Sequence, residues 1–226
     1  LHDIAVYTAI TGGRDDLKTD QCWDGADFTA FLDDRVRVDM SRPGGHRWRL
    51  RPACDLFRDD RRNAKIHKVL SHLYLGSHVY SIWMDGSVSL KVCAADLVRE
   101  FLGQADMALF RHRAKRCAYA VANHCITKGL DDAGTIREQI ARMRARLYPE
   151  RAGQHECGVI LRRLSPVVER FERMWWAEIC RYSKRDQISF EFAARLAGVR
   201  VATIPGSVQH NDYFERRPHR RLLDLD

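Results

Sequence analysis

The sequence predicts an α/β fold, a mixed and mostly parallel central sheet flanked by helices, and three observations carry that expectation. Apolar, β-branched runs alternate with segments whose apolar residues recur at helical spacing, so the order along the chain is strand, helix, strand. The runs "IAVYTAI" and "HVYSIWM" are apolar almost throughout instead of alternating, the pattern of strands covered on both faces. A length of 226 residues with 45% hydrophobic and 30% charged residues suits a substantial core, and neither an internal repeat nor a low-complexity linker divides the chain. Residues 1–226 are therefore read as a single domain.

In order, "IAVYTAITGG" is a buried strand running into paired glycines, and "ADFTAFLDD" is a second strand ending at Asp33 and Asp34. "RRNAKIHKVLSHL" places Ile66, Val69, Leu70 and Leu73 at i, i+3, i+4 and i+7, an amphipathic helix whose Arg61, Lys65 and Lys68 fall on a different face. With "HVYSIWM" as the next strand, Asp85 stands at a carboxyl end, the edge where open α/β sheets bind ligands. Asp85–Gly86 is also a tight-hairpin signature with alternating "SVSLK" as the returning strand, and the two readings are compatible. "ADLVREFLG" is a helix stopped by Gly103, and "DMALF" is a short strand leading to His112. The stretch from about 114 to 148 reads as helical, with Ile136, Ile140, Met143 and Leu147 on one face. "CGVILRR" is a strand, "PVVERFERMWWAEICRYS" a helix opened by Pro166, and "KRDQISFEFAARLAG" a helix up to Gly198. "VRVATIPG" is a last strand, followed by "SVQHNDYF" and a basic tail.

A net charge of +8, with Arg far outnumbering Lys, favours anionic partners. The basic residues are spread through every segment without interleaved stacking aromatics, so a nucleic-acid module is not expected. No apolar run approaches the roughly 18–20 residues of a membrane helix, and no signal-peptide pattern opens the sequence. Seven cysteines at irregular spacing, without C-x-x-C, suit neither a disulfide framework nor a ribbon-type zinc site. A reducing compartment, the cytoplasm, is the expectation. His112, Cys117, His124 and Cys125 match no standard metal spacing and read as buried thiols and helix-face histidines.

"VYTAITGGRDD", "AFLDD", "KIHKVLSH", "YSIWMDG", "DLVREFL", "RHRAKRCAY", "GVILRR" and above all "MWWAEICRYSKRDQISF" look like the glycosyltransferase-like domain of plant turgor-regulation and seed-mucilage proteins, a family with bacterial members. The resemblance runs from about Ile4 to Phe190, and W-x-D-G and R-D-Q-x-S-F are its most specific elements. It implies the GT-A fold, a mixed-sheet relative of the Rossmann architecture. It also implies transfer of a sugar from a nucleoside-diphosphate donor, UDP-sugars first among them, to a glycan or other acceptor.

Under that resemblance Asp85 corresponds to the first acid of the D-x-D element, and the departing diphosphate needs a divalent cation, Mn or Mg, together with Lys or Arg. Asp85, Ser87 and His210 are the metal candidates. Arg62 and Lys65 are candidates for the diphosphate, and Thr8, Ala9, Ile10, Gly12, Asp34 and Gly86 complete the nucleotide-sugar side. Asp186, Gln187 and Arg185 are the candidates for the reacting centre, although a helix N-cap is an equally weighted role for Asp186. His112, Arg116 and Trp176 are placed on the acceptor side. A solvated basic face explains the first two nearly as well, and core packing is the plainer role for Trp175 and Trp176. Ser87 replaces the second acid of D-x-D, Ala120 and Val121 replace acids near Tyr119, and Asp-Pro is absent near Cys93 and Ala94. Two further readings stay open: a nucleotidyl or phosphoryl transferase using Asp33, Asp34 and Asp85 on two metals, and a non-catalytic glycan- or nucleotide-binding module.

Overall fold

A computed structural model describes residues 2–38 and 46–218; the end of the basic tail, residues 219–226, lies outside the described residues. The expected sheet is present with seven strands. They are β1 (Ile4–Ile10), β2 (Asp27–Leu32), β3 (Arg49–Pro52), β4 (Tyr80–Met84), β6 (Met107–Arg111), β7 (His155–Arg163) and β8 (Val201–Ile204), in the order β3-β2-β1-β4-β7-β6-β8. β1 pairs in parallel with β2 and β4, β2 with β3, and β6 with β8; β7 alone runs antiparallel, against both β4 and β6. The carboxyl ends of β1, β4 and β6 therefore open at one edge, and β7 begins there.

All seven residues of β1 are buried, as its unbroken apolar run requires. Its side chains part alternately: Ile4, Val6 and Ile10 join a core with Phe28, Ile82 and Leu97 on one face, while Ala5, Tyr7 and Ala9 join Phe31, Val69, Trp175 and Phe190 on the other. The first face is covered by α2 (Ala94–Phe101), and the second by α1 (Asp60–Val69), α5 (Pro166–Arg181) and α6 (Asp186–Ala197). α5 carries Pro166 in its first turn, and Gly198 ends α6 at φ 75°, in the left-handed region that favours glycine. No helix among the described residues is long and apolar enough to cross a membrane.

Several expectations are corrected. Asp85 does make a turn, with the Val88 N–H donating to its carbonyl at 2.9 Å, but no hairpin follows. β5 (Val88–Leu90) leaves the main sheet and pairs antiparallel with β9 (Phe214–Arg216), because the chain end supplies a partner more than a hundred residues away. The helix expected over 114–148 is two helices, α3 (Ala118–Thr127) and α4 (Ala133–Ala145), the second capped by Asp132, whose Oδ2 accepts the Thr135 N–H at 2.6 Å. Leu147 lies on neither helix face. It stands at φ 54° and 90% exposed, where a Schellman closure from Tyr148 N–H to Met143 carbonyl ends α4. Leu73 also leaves the predicted stripe, since α1 stops at Val69 and a 3-10 turn, Ser71–Leu73, exposes it.

Candidate active site

A cavity of about 810 Å³ opens at the carboxyl edge of the sheet. The ends of β1 and β4, the inner face of α1, the start of β7 and the start of α6 wall it. Its floor is an alternating array of four charges. Lys65 and Lys68, one helical step apart on α1, each reach a different oxygen of Asp186 at 2.7 Å, and Lys68 also contacts Asp85 Oδ1 at 3.2 Å. Trp83 Nε1 donates to that same Asp85 oxygen at 2.9 Å. The two candidate acids, 101 positions apart in sequence, are thus joined through one lysine.

Burial sharpens these charges. It would raise the Asp186 carboxyl, but Lys65 and Lys68 outweigh it and hold the group far below the usual carboxylate range. Burial likewise pulls Lys68 down, and Asp186 with Asp85 more than reverses this, so its ammonium is held above its ordinary value. Lys65 shares Asp186 with Lys68 and lies below its ordinary value, through burial and the repulsion of Lys68. At the neighbouring start of β7, burial and Asp186 push the Cys157 thiol up, which disfavours its thiolate. His112 is held below its ordinary value by burial and Lys115, against the pull of Glu156.

Beneath the array, a second polar network fixes where α1 ends. The Lys68 carbonyl accepts from Tyr7 Oη at 3.2 Å and from Arg162 Nη2 at 2.8 Å, and Arg162 Nη1 also donates to Tyr7 Oη. Arg162 Nε stands 3.3 Å from Glu172, which in turn accepts from Ser71 Oγ and the His72 N–H. Arg162 and Glu172 are fully buried. They anchor the backbone of the turn that carries Lys68.

The structure brings together Ala9, Ile10, Lys65, Asp85, Gly86, Ser87, His112, Arg185, Asp186 and Gln187 around the cavity. It places other predicted residues elsewhere. Arg62 turns away to Asp59 and to the carbonyls of Ile179 and Tyr182 at the end of α5, because it lies one position round the helix from Arg61, which does face the cavity. Thr8 is buried within the sheet. Gly12 donates its N–H to Asp33 Oδ2 at 2.7 Å, and Asp33 is also tied to Arg35. Neither Asp33 nor Asp34 lines the cavity, which removes the carboxylate cluster that a two-metal phosphoryl or nucleotidyl transferase would need. Arg116 is exposed away from the wall, and Trp176 packs edge-on against Phe57 at 5.8 Å. His210 sits outside the wall with Nδ1 3.0 Å from Arg113 Nη1.

Asp186 is the first residue of α6 rather than its cap; the cap position is Arg185, which makes no side-chain cap bond. Asp186 therefore stands at the cavity wall and not at the cap position. Lys68, Trp83, Glu156 and Arg14 also face the cavity but were not among the predicted site residues. Lys68 had a signal, its i+3 relation to Lys65 on the basic face of α1. Glu156 had none, since only the start of β7 at this edge brings it in.

For a divalent cation, this chain offers the Asp85 carboxylate and the Ser87 hydroxyl at the cavity wall. No cluster of three or more His, Cys, Asp or Glu arranged to hold a metal occurs among the described residues. The donor set therefore fits a hard cation that takes most of its ligands from phosphate and water, as Mg does at nucleotide sites.

A family model described as the TOD1/MUCI70, glycosyltransferase-like domain matches residues 3–204. The probable hexosyltransferase MUCI70 of Arabidopsis thaliana is 28% identical over 210 residues, covering 83% of this chain and 36% of that relative, so the chain spans little more than a third of its length. Among solved structures, apo mouse xyloside xylosyltransferase 1 is similar with a TM-score of 0.51 and 10% identity, over 90% of this chain and 84% of that one. The apo WbbM bifunctional glycosyltransferase is similar with a TM-score of 0.47 and 12% identity, over 89% and 38%.

Proposed function

The chain belongs to the TOD1/MUCI70 glycosyltransferase-like domain family, and from that premise we propose that it transfers a sugar from a nucleoside-diphosphate donor, a UDP-sugar first among them, to a hydroxyl of a glycan acceptor. The observation that carries the reading is the Asp85–Lys68–Asp186–Lys65 array at the carboxyl edge of a sheet of this class, with Lys68 and Asp186 buried and Asp85 open to the cavity.

The reading gives four roles. The turn of Asp85 and Gly86 receives the diphosphate, and its close approach to Ile10 sets the donor against the end of β1. A divalent cation bound by Asp85 and Ser87 would supply charge neutralisation to the departing diphosphate. Lys68, already paired to Asp85, provides fixed positive charge on the same side, which costs no reorganisation when negative charge develops. Asp186 and Gln187, at the start of α6, face the donor sugar and orient its hydroxyls. The Gln187 side chain is itself held by the His155 carbonyl at 3.0 Å.

Thermal melting against nucleoside diphosphates, nucleoside triphosphates and nucleotide sugars, with and without Mn or Mg, tests this. A ligand of the folded state stabilises by about 2.7 kcal/mol at a hundredfold excess over Kd. One diphosphate and its sugar conjugates should raise the melting temperature in a cation-dependent way. A response to no nucleotide, or to triphosphates alone, would overturn the reading.

A further inference from the structure

We propose that the turn closing α4, with Leu147 at its tip and Arg144, Arg146 and Arg151 beside it, docks the chain on an anionic lipid surface. None of these four residues lines the cavity, so the inference is independent of what the cavity binds.

The fold makes no use of the Leu147 side chain. Its backbone stands at φ 54°, the one non-glycine residue in the left-handed region among the described residues. That conformation strains an L residue, and glycine or asparagine usually fills it where a helix closes as α4 does. Here the Leu147 N–H donates to the Arg144 carbonyl at 2.8 Å and the Tyr148 N–H to Met143 at 3.0 Å. The apolar contact that accompanies such a closure comes from Tyr148, which is buried with Met143 and Phe192. Leu147 joins no apolar cluster and is 90% exposed, the most of any large apolar residue described. The strained turn therefore holds a bare isobutyl group out in water.

Charge indicates what that group meets. Residues 144–151 hold three arginines against one acid, Glu150. All three arginines are exposed, and among the described residues none is in an ion pair. Arg142, by contrast, turns inward to Glu178 at 2.9 Å. Arg144 lies over the Tyr119 ring at 5.4 Å, and the Tyr119 hydroxyl donates to the Tyr148 carbonyl at 2.7 Å, which fixes the turn against the start of α3. An apolar tip beside guanidiniums matches an anionic leaflet, whose phosphates meet the arginines while the acyl boundary takes the leucine. The aliphatic arginine stems and the Tyr119 ring suit the same boundary. A soluble acidic polymer would pair the arginines and leave Leu147 in water. The chain passes from the cavity rim at His112, Arg113 and Ala114 into α3 within a few residues, so docking here holds the cavity mouth near the lipid.

The test is co-sedimentation with phosphatidylcholine vesicles and with vesicles of about one-third phosphatidylserine, at low salt and at about 0.15 M salt. The wild-type chain should favour the acidic vesicles by at least about tenfold, and less so at the higher salt. Leu147→Asn places a residue that tolerates the left-handed region, so its melting temperature should hold or rise while affinity for acidic vesicles falls at least about fivefold. R144Q/R146Q should lose at least about fivefold as well, whereas R49Q/R58Q, an equal loss of charge at exposed positions elsewhere, should stay within about twofold of wild type. A wild-type chain that binds neither vesicle, or both equally, overturns the inference. Unchanged vesicle affinity in Leu147→Asn does so too, and a melting temperature that falls along with affinity would make Leu147 a packing residue and overturn it likewise. Equal losses in the two arginine pairs would reduce the binding to net charge and remove the case for this turn. No arm contains a nucleotide, so each result stands apart from the donor reading.

Discussion

Replacing Asp186 with Asn keeps the size of the side chain and removes the charge on which two buried ammoniums converge. The side chains of Lys65, Lys68 and Asp186 are 15%, 5% and 9% exposed, so water screens the pairs poorly. Each pair, at 2.7 Å, is worth roughly 6 kcal/mol of attraction at an effective dielectric near 20, before the desolvation of the carboxylate is set against it. Breaking a buried pair from one side costs about 3–5 kcal/mol in practice. For a chain of this size that is a melting temperature lower by roughly 6–20 °C.

The pH dependence has a definite sign. The folded-state pKa of Asp186 is depressed, so its stabilisation is present above the unfolded value of about 4 and is lost as pH falls through the folded value. The gap between wild type and Asp186→Asn should be full at neutral pH and narrow in acid. Lys65, already below its ordinary value, loses its partner in the variant, so the variant should recover relative to wild type as pH rises toward about 10. Thermal or urea unfolding followed by circular dichroism measures both limbs. A loss under about 1 kcal/mol at pH 7, or a gap that does not change with pH, would refute the idea of a coupled buried array.

Three further outcomes follow from other parts of the structure. Gly86→Ala would set a Cβ 2.7 Å from Ile10 Cγ1 and 2.9 Å from its Cδ1, so melting should show a loss of about 1–3 kcal/mol, with donor affinity falling as the Asp85 turn shifts. Arg162→Met removes the guanidinium beside buried Glu172, leaving it to Ser71 and His72, and should cost about 3–5 kcal/mol, much of it recovered when Glu172→Leu is added; a double-mutant cycle with no coupling would contradict this. His67 is held down to about 4 by burial and by Arg51, so the unfolded chain takes up its proton first as pH falls. Stability should therefore decline between about pH 6.5 and 4 by roughly 3 kcal/mol, and this slope should be missing in His67→Gln.

Local chemistry in the sequence foretold what local chemistry decides. The unbroken run of β1, the apolar face of α1 with Arg61, Lys65 and Lys68 on another, Pro166 opening α5 and Gly198 closing α6 were all legible. The identity of the partner across the cavity was not. Asp186 stood out only inside a motif, and its pairing with Lys65 and Lys68 arises because α5 and α6 fold back over the same face as α1. The hairpin that the Asp85–Gly86 turn left open does not form for the same reason, since a local turn signal cannot report that β9 will claim β5. Arg61 shares the i, i+4, i+7 spacing of Lys65 and Lys68 and faces the cavity with them, so periodicity favoured it over Arg62, about 100° away on the helix, and only the family resemblance named Arg62. The break between α3 and α4 was written in Gly129 and Asp132, whose turn and capping chemistry outweighs a loosely apolar helical pattern.

The most direct test of the central claim is calorimetric titration of the preferred nucleoside diphosphate, with and without Mn, into the wild-type chain and Asp85→Asn. The cavity reading predicts that the variant folds, keeps weak binding through the end of β1, and loses the cation-dependent part of the affinity, at least about tenfold. Affinity and cation dependence unchanged from wild type would contradict it, and would return Asp85 to the role of a turn residue that happens to face a cavity.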